Sequence, residues 1–418
     1  MRNIYDQYHQ PENRLTHALV CTLHEEPGIL RQFVKWITGN TPTTKIKVVE
    51  QRLPGEDEIA EEQLESRGLP DAWLHDDEGW SLLIECKIAS PLEIHQLERH
   101  IKTARKRGFT QVQLLAVTVE LPTKRLPDYV VHKCWREIYS WMNAHAKGSR
   151  WTQLFVRYLE TAQSRLTSEG YLREGTLTEF NGFDFDDDNP FSYPEAKRLL
   201  KLAMDELRGN KRLLGEMGID PIAPGRGAIT GKSATGVWDL LRLKHFDASE
   251  KHTSQPHLTL ALRRDHVSSM LTLPNSMQPR LRRNLVGLRE EGFFSVISEV
   301  NSNLDRVIRK AKTPGAIPRF HIAQRHFSTR RAKANIDGEM QVDLRTTFPS
   351  TRARTKFQPQ WLAAAYALIA NKNSNLECQI GTLFPSDSCQ SQLHNAKILD
   401  AIAESWIATK PLLDAILE

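Results

Sequence analysis

Leu69-Pro70-Asp71-Ala72-Trp73-Leu74, a polar turn from His75 to Trp80, and Ser81-Leu82-Leu83-Ile84-Glu85-Cys86-Lys87 decide the fold of this 418-residue chain. Two β-like runs flank a short turn bearing acids and a glycine, so the stretch reads as a hairpin. Asp71 opens the first strand, and Glu85 and Lys87 stand two apart on the second. Side chains alternate faces along a strand, so Glu85 and Lys87 project to one side and Cys86 to the other. Leu82-Leu83-Ile84 and Ile88 mark the second strand as buried, where charges without partners are costly. Two carboxylates and an amine therefore converge on one sheet edge.

Working outward, Leu15, Ala18, Leu19, Thr22 and Leu23 recur at helical spacing, and Glu12 continues their stripe. Pro27-Gly28 breaks that run before a second helical set from Ile29 to Ile37. Lys45 to Leu53 reads as a strand, and Pro54 to Gly68 as an exposed loop or short helix. After the hairpin, Ser90-Pro91 suits a helix start, with Ile94, Leu97, Ile101 and Ala104 on one face and Gly108 closing it. Gln111 to Thr118 reads as a buried strand and residues 132–147 as a helix. The order from Glu12 is α, β, β, β, α, β, α, and a strand–helix–strand crossover implies a partly parallel sheet.

Pro70-Asp71, thirteen intervening residues and Glu85-Cys86-Lys87, set in this order of elements, resemble the PD-(D/E)xK nuclease superfamily. Glu12-Asn13-Arg14-Leu15-Thr16 resembles the first-helix motif of some branches. Gln96, with His100 one turn on, resembles their Gln-x-x-x-Tyr helix motif, His100 replacing the Tyr. The resemblance covers residues 1–150. It implies an α/β fold with a restriction-endonuclease-like αβββαβ core and mixed sheet. It also implies Asp71, Glu85, Lys87, Gln96 and Glu12 as catalytic residues. Phosphodiesters resist attack because they are anionic, and a divalent cation offsets that charge. Magnesium, or manganese, prefers oxygen donors. Asp71, Glu85, the Cys86 carbonyl and Glu12 are the expected ligands.

Net charge is +5, unevenly spread. Residues 1–150 hold 20 Lys+Arg against 21 Asp+Glu, and 151–190 hold 3 against 8. Residues 191–418 hold 33 against 22, of which 280–356 hold 17 against 7. The resulting organisation is a nuclease-like domain at 1–150, a helical segment and acidic linker at 151–190, and a basic α+β region at 191–418. In the last, strands are expected at 257–262 and 267–273, a basic helix near 280–289, and a hairpin pairing 319–329 with 339–347. Helices are expected at 193–207, 360–370 and 394–417. A concentrated basic region attracts a polyanion, and Arg282, Arg283, Arg325, Arg330, Arg331 and Lys333 are the expected phosphate contacts.

Several patterns lead nowhere. Gly225 to Ser233 lacks the first glycine of a phosphate-binding loop, with Arg226 in its place. The acidic run Asn181 to Pro190 lacks calcium-loop spacing. Five scattered cysteines form no CxxC pair and fit a reducing cytoplasm. The longest apolar run, Trp361 to Ala370, is too short for a membrane span, so no membrane partner is expected. The expectation is a metal-dependent nuclease acting on DNA more than RNA, most suitably double-stranded DNA in restriction or phage defence, with a homodimer or protein partner compatible. The alternatives are a catalytically inactive nucleic-acid-binding or assembly protein, and an RNA or single-strand nuclease activated by a ligand or partner.

Overall fold

A computed structural model describes residues 10–40, 42–50, 69–76, 78–88, 90–122, 124–172, 175–183, 185, 190–223, 225, 235–246, 251–326, 328, 335–348, 357–371 and 376–418. The chain is α/β in class and divides between Glu179 and Phe180 into two compact units. Pro54 to Gly68, most of the glycine-rich run at 225–233, and Arg330, Arg331 and Lys333 lie outside the described residues.

The first unit begins with α1 (Pro11–Glu25) and α2 (Pro27–Thr38), each with proline in its first turn, where no intrahelical N–H partner is required. Its five-stranded sheet runs β1 (Lys47–Glu50), β2 (Ala72–His75), β3 (Trp80–Cys86), β4 (Gln111–Thr118), β5 (Val130–Cys134), in that spatial order. The β1–β2 and β2–β3 pairs are antiparallel; β3–β4 and β4–β5 are parallel. Helix α3 (Ile94–Lys106) makes the crossover between β3 and β4.

Alternation sorts β3 as its sequence demands. Leu82, Ile84 and Cys86 join Ala72, Leu74, Leu115 and Val117 in an apolar layer with α1 and α2. Leu83 joins Trp73, Leu114 and Ala116 on the opposite side, where Leu97, Ile101 and Ala104 of α3 cover them. Glu85 belongs by alternation to this second side.

Three readings change. The helix expected from residue 132 begins at Trp135, as α4 (Trp135–Ala144), and the residues before it form β5. Val130 and Val131 are β-branched and pair in parallel with Leu114 and Leu115, a long-range partnership that outweighs the helical pattern. Glu137 then accepts from the Cys134 N–H at 2.8 Å and satisfies an orphan donor of the new helix. Ser90 does not cap α3, which starts at Ile94 after Glu93. Finally, α5 (Arg150–Ser168) packs on α1 and brings Phe155, Leu159 and Leu166 into the first core, so the first unit extends past residue 150.

The second unit contains a six-stranded, wholly antiparallel sheet. Its strands are β6 (Gly236–Leu241), β7 (His257–Arg263), β8 (His266–Leu273), β9 (Ile317–His326), β10 (Asn335–Asp343) and β11 (Leu376–Pro385), ordered β10-β9-β11-β8-β7-β6. The expected hairpin is present as β9–β10. Strand β11 has no counterpart in the sequence reading, yet it is inserted between β8 and β9. Helices α6 (Tyr193–Arg208), α7 (Pro279–Gly287) and α9 (Gln360–Ala370) occupy expected places, whereas α8 (Arg289–Lys310) fills a stretch to which the sequence reading assigns no element. The expected final helix is α11 (Ile398–Ala408) and α12 (Lys410–Leu417), preceded by a short α10 (Gln390–Leu393).

The stretch read as an acidic linker is partly core. Phe180 and Phe183 are buried in the second unit, and Phe183 N–H donates to Leu393 O at 2.7 Å. Burying aromatic rings between the acids outweighs the stretch's overall polarity. Among the described residues, no helix is long and apolar enough to cross a membrane.

Candidate active site

The antiparallel register of β2 and β3 pairs Ala72 with Ile84, so the next step outward sets residue 71 against residue 85. Opposed residues of an antiparallel pair share a face. Asp71 is half-buried at the bend before β2, and its Oδ2 accepts from the Cys86 N–H at 2.7 Å. That bond ties the start of one strand to the end of the other.

Glu85 is 1% exposed. Its Oε1 accepts from Gln96 Nε2 at 2.6 Å and lies 2.8 Å from Lys87 Nζ. Gln96 reaches it because Leu97, Ile101 and Ala104 press α3 onto the sheet, which turns the adjacent stripe of Gln96 and His100 toward the strand end. His100 Nε2 stands 3.2 Å from Glu85 Oε2, within ion-pair distance but outside hydrogen-bond geometry. Both atoms are buried without a hydrogen-bond partner.

Lys87 follows β3, and its backbone N–H continues the parallel ladder to Val117 O at 2.7 Å. Beyond it, Glu12 Oε1 accepts from Ile88 N–H at 2.9 Å, Ser90 N–H at 3.2 Å and Ser90 Oγ–H at 2.9 Å. Glu12 thereby clasps the chain just past Lys87. Glu12→Ala is expected to speed amide exchange at Ile88 and Ser90 by about tenfold or more, since a charge-assisted acceptor is worth roughly 1.5–3 kcal/mol. Unchanged exchange by NMR would remove the clasp.

The charges divide the two central carboxylates. Loss of water around Asp71, then the negative field of Glu85, pushes its carboxyl well above the usual range; the Cys86 N–H and Lys87 oppose this. Burial acts to raise Glu85 as well, but His100 and Lys87 outweigh it and hold Glu85 below its ordinary value. Lys87 loses water too, yet Glu85, with help from Asp71 and Glu12, keeps it more firmly protonated than usual. Two nearby carboxylates with titrations driven apart are a common signature of functional sites.

The sequence-predicted Asp71, Glu85, Lys87 and Gln96 are therefore brought together, with Glu12 at the rim. The Cys86 side chain packs among Ala72 and Ile84 in the other apolar layer, so only its backbone is available as a donor. Among the described residues, no three His, Cys, Asp or Glu side chains stand as a ready metal cage. Asp71 and Glu85 nevertheless form a hard-oxygen pair: Lys87 and His100 keep Glu85 anionic, while burial and the Glu85 charge leave Asp71 short of compensation. This donor set fits a magnesium-like cation better than a soft metal.

No family model matches the chain, and no curated protein does.

His100, which the sequence offers as the stand-in for the Tyr of the helix motif, lies 3.2 Å from Glu85 Oε2. One residue beside the centre, His132, escapes the sequence reading. His132 requires the sheet register: Glu85 pairs with Ala116, and Ala116 with His132, all on one face. Thr118 Oγ lies 2.7 Å from His132 Nε2. In the second unit, Arg325 is ion-paired with Glu377 at 2.6 Å and Arg282 donates to Asn371 O at 3.0 Å, while Arg283 is exposed. The ion pair offsets part of the charge expected for phosphate at Arg325.

Proposed function

We propose that this chain is a metal-dependent phosphodiesterase with a restriction-endonuclease-like first unit, acting as an endodeoxyribonuclease on double-stranded DNA. A restriction or phage-defence role suits such an enzyme. The observation that carries the reading is the meeting of Asp71, Glu85 and Lys87 at one end of the β2–β3 pair, with Gln96 bound to Glu85. A structural ion pair needs one acid and one base; the second carboxylate, Asp71, carries an electrostatic penalty that purely structural packing does not require.

In this reading Asp71 and Glu85, with the Cys86 carbonyl, hold Mg²⁺ or Mn²⁺. The bound cation supplies charge neutralisation at the phosphate and eases deprotonation of water. Lys87 holds its proton on Nζ, close to Glu85, and offers that positive charge to the additional negative charge of the transition state. Gln96 fixes the Glu85 carboxylate in one orientation through Nε2. Glu12 keeps the chain after Lys87 from drifting, which preserves the reach of the amine.

The test is incubation with plasmid, linear duplex, single-stranded DNA and RNA, in magnesium, manganese or chelator. Duplex cutting that chelator abolishes supports the reading. Binding without cutting under every metal would favour a binding or assembly protein, and cutting confined to RNA or single strands would move the substrate class.

Cleavage is also expected to rise with pH along a limb set by Asp71. Its carboxyl titrates above the ordinary carboxylate range, so it retains a proton in mildly acidic solution, where it cannot serve as an anionic ligand. Raising pH removes that proton. Because cation and proton compete for the same oxygen, more magnesium should move the limb to lower pH. Initial rates against pH at two magnesium concentrations would show this; a limb indifferent to magnesium counts against Asp71 as a ligand.

A further inference from the structure

The first unit has a groove of about 500 Å³ lined by Glu98, Ile101, Lys102, Arg105, Lys106 and Tyr129. It runs between α3 and the residues leading into the edge strand β5. Three cations face one carboxylate there. Lys102, Arg105 and Lys106 have no ion-pair partner among the described residues, although other exposed bases of this unit, such as Arg125 and Arg165, do.

Topology gives the groove a direction. Gln96 fixes the first turn of α3 at Glu85. From Gln96 to Arg105 is nine residues, or about 14 Å along the helix. Strand β5 is parallel to β3 and β4, so it begins near Tyr129 and passes His132, which shares the Glu85 face. The groove therefore leads away from the carboxylate centre, basic wall on one side and tyrosine on the other.

A plain structural account covers only part of this. Cations in the last turn of a helix complement its dipole, which accounts for Arg105 and Lys106. It leaves Lys102, one turn earlier, and it leaves Tyr129, which comes from a separate element yet sits close enough for Glu98 and Arg105 to act on its hydroxyl. Phosphate-tracking cations beside an aromatic ring are the usual means of holding a nucleic-acid strand without reading its sequence.

We propose that this groove is the track for the nucleic-acid strand leaving the Asp71–Glu85 centre, its phosphates on Lys102, Arg105 and Lys106 and a base against Tyr129. The proposal rests on the nuclease reading for its substrate, and its test separates the two. Full-length protein is titrated with a labelled oligothymidylate and a labelled duplex, in chelator so that nothing is cut, over a range of salt. Substituting all three cations (Lys102→Gln, Arg105→Gln, Lys106→Gln) should weaken binding about tenfold or more near 0.1 M salt. It should also flatten the plot of log affinity against log salt by about two units, since each single-strand phosphate contact contributes about 0.7. Tyr129→Ala should weaken binding about fivefold or more and leave that slope unchanged.

Failure of the wild-type protein to bind either probe overturns the groove, as does a triple variant with affinity within twofold and an unaltered slope. Should the triple variant misfold by circular dichroism, Lys102→Gln and Tyr129→Ala decide singly: about 0.7 off the slope for the first, none for the second. If the wild-type protein cuts nothing in any metal while these binding effects appear, hydrolysis fails and the groove stands. If it cuts and the groove variants bind normally, the groove fails and hydrolysis stands.

Discussion

Replacing Asp71 by asparagine is expected to end cleavage and, at neutral pH, to make the protein more stable. The catalytic loss should be about a thousandfold or more, because the residue's negative charge is what a cation would bind. The gain in stability follows from the sign of its titration. Asp71 titrates above its unfolded value, so the folded state favours the protonated form. The associated stability is fully present below the unfolded value and is lost as pH rises through the folded one. At neutral pH the ionised group is therefore a burden, and asparagine, whose Oδ1 can still accept from the Cys86 N–H, relieves it. A gain of about 1–2 kcal/mol is the expected scale for such a relief at a functional site. It should shrink toward acidic pH, where aspartate itself is protonated.

Glu85→Gln makes the contrast. It should also abolish cleavage, but its carboxylate titrates below the ordinary value under the influence of His100 and Lys87, so its ionised form supports the fold. That support is present above the unfolded value and lost as pH falls through the folded one. Removing the charge leaves Lys87 without its 2.8 Å partner and costs about 3–5 kcal/mol. Urea unfolding of both variants at neutral pH tests the account in one comparison. If both substitutions shift stability in the same direction, the division of labour between the carboxylates is wrong.

In the second unit, Gly381→Ala should cost about 3 kcal/mol. Strand β11 is hydrogen-bonded on both sides, and Gly381 pairs with Met270 on one neighbour and Arg319 on the other. A methyl group at this glycine would run into the Ser269 carbonyl and crowd the Met270 Cα. Those atoms belong to backbone already fixed in the sheet, so they cannot turn aside as a flexible side chain can. Alanine must therefore either part β11 from β8 or distort both. The urea midpoint should fall with little change in slope; a variant as stable as the parent would mean that the strands can separate locally at no cost.

The hairpin and its site were legible because their signal is local. Period-two alternation from Leu82 to Lys87 fixes which side chains share a face, and helical spacing from Gln96 to Ala104 fixes what lies over them. Asp71, Glu85 and Lys87 could be grouped on that basis, and Gln96 joins them in the sequence only through the resemblance of its helix to the Gln-x-x-x-Tyr motif. Strand β5 was hidden because its two valines precede a strong helical pattern, and only pairing with β4 decides their state. Strand β11 mixes Glu377, Gln379, Thr382 and Gly381 among its apolar residues, and its partners are far away in the chain. Glu12 was picked out by its unusual position on an apolar stripe, but its bonds to Ile88 and Ser90 link residues 76 and 78 positions apart, which no local pattern encodes. The acidic run after Glu179 misled for a different reason: charge dominates its composition, while two phenylalanines decide where its described residues go.

The alternation of β3 has an evolutionary corollary. Inserting or deleting a single amino acid between Leu82 and Glu85 would exchange the two sides of everything downstream, driving an acid and an amine into hydrocarbon and a thiol out of it. Gains or losses of two would keep the parity and merely shift the charged pair along the sheet. Lineages descended from this protein are thus free to vary the length of this strand only in even steps.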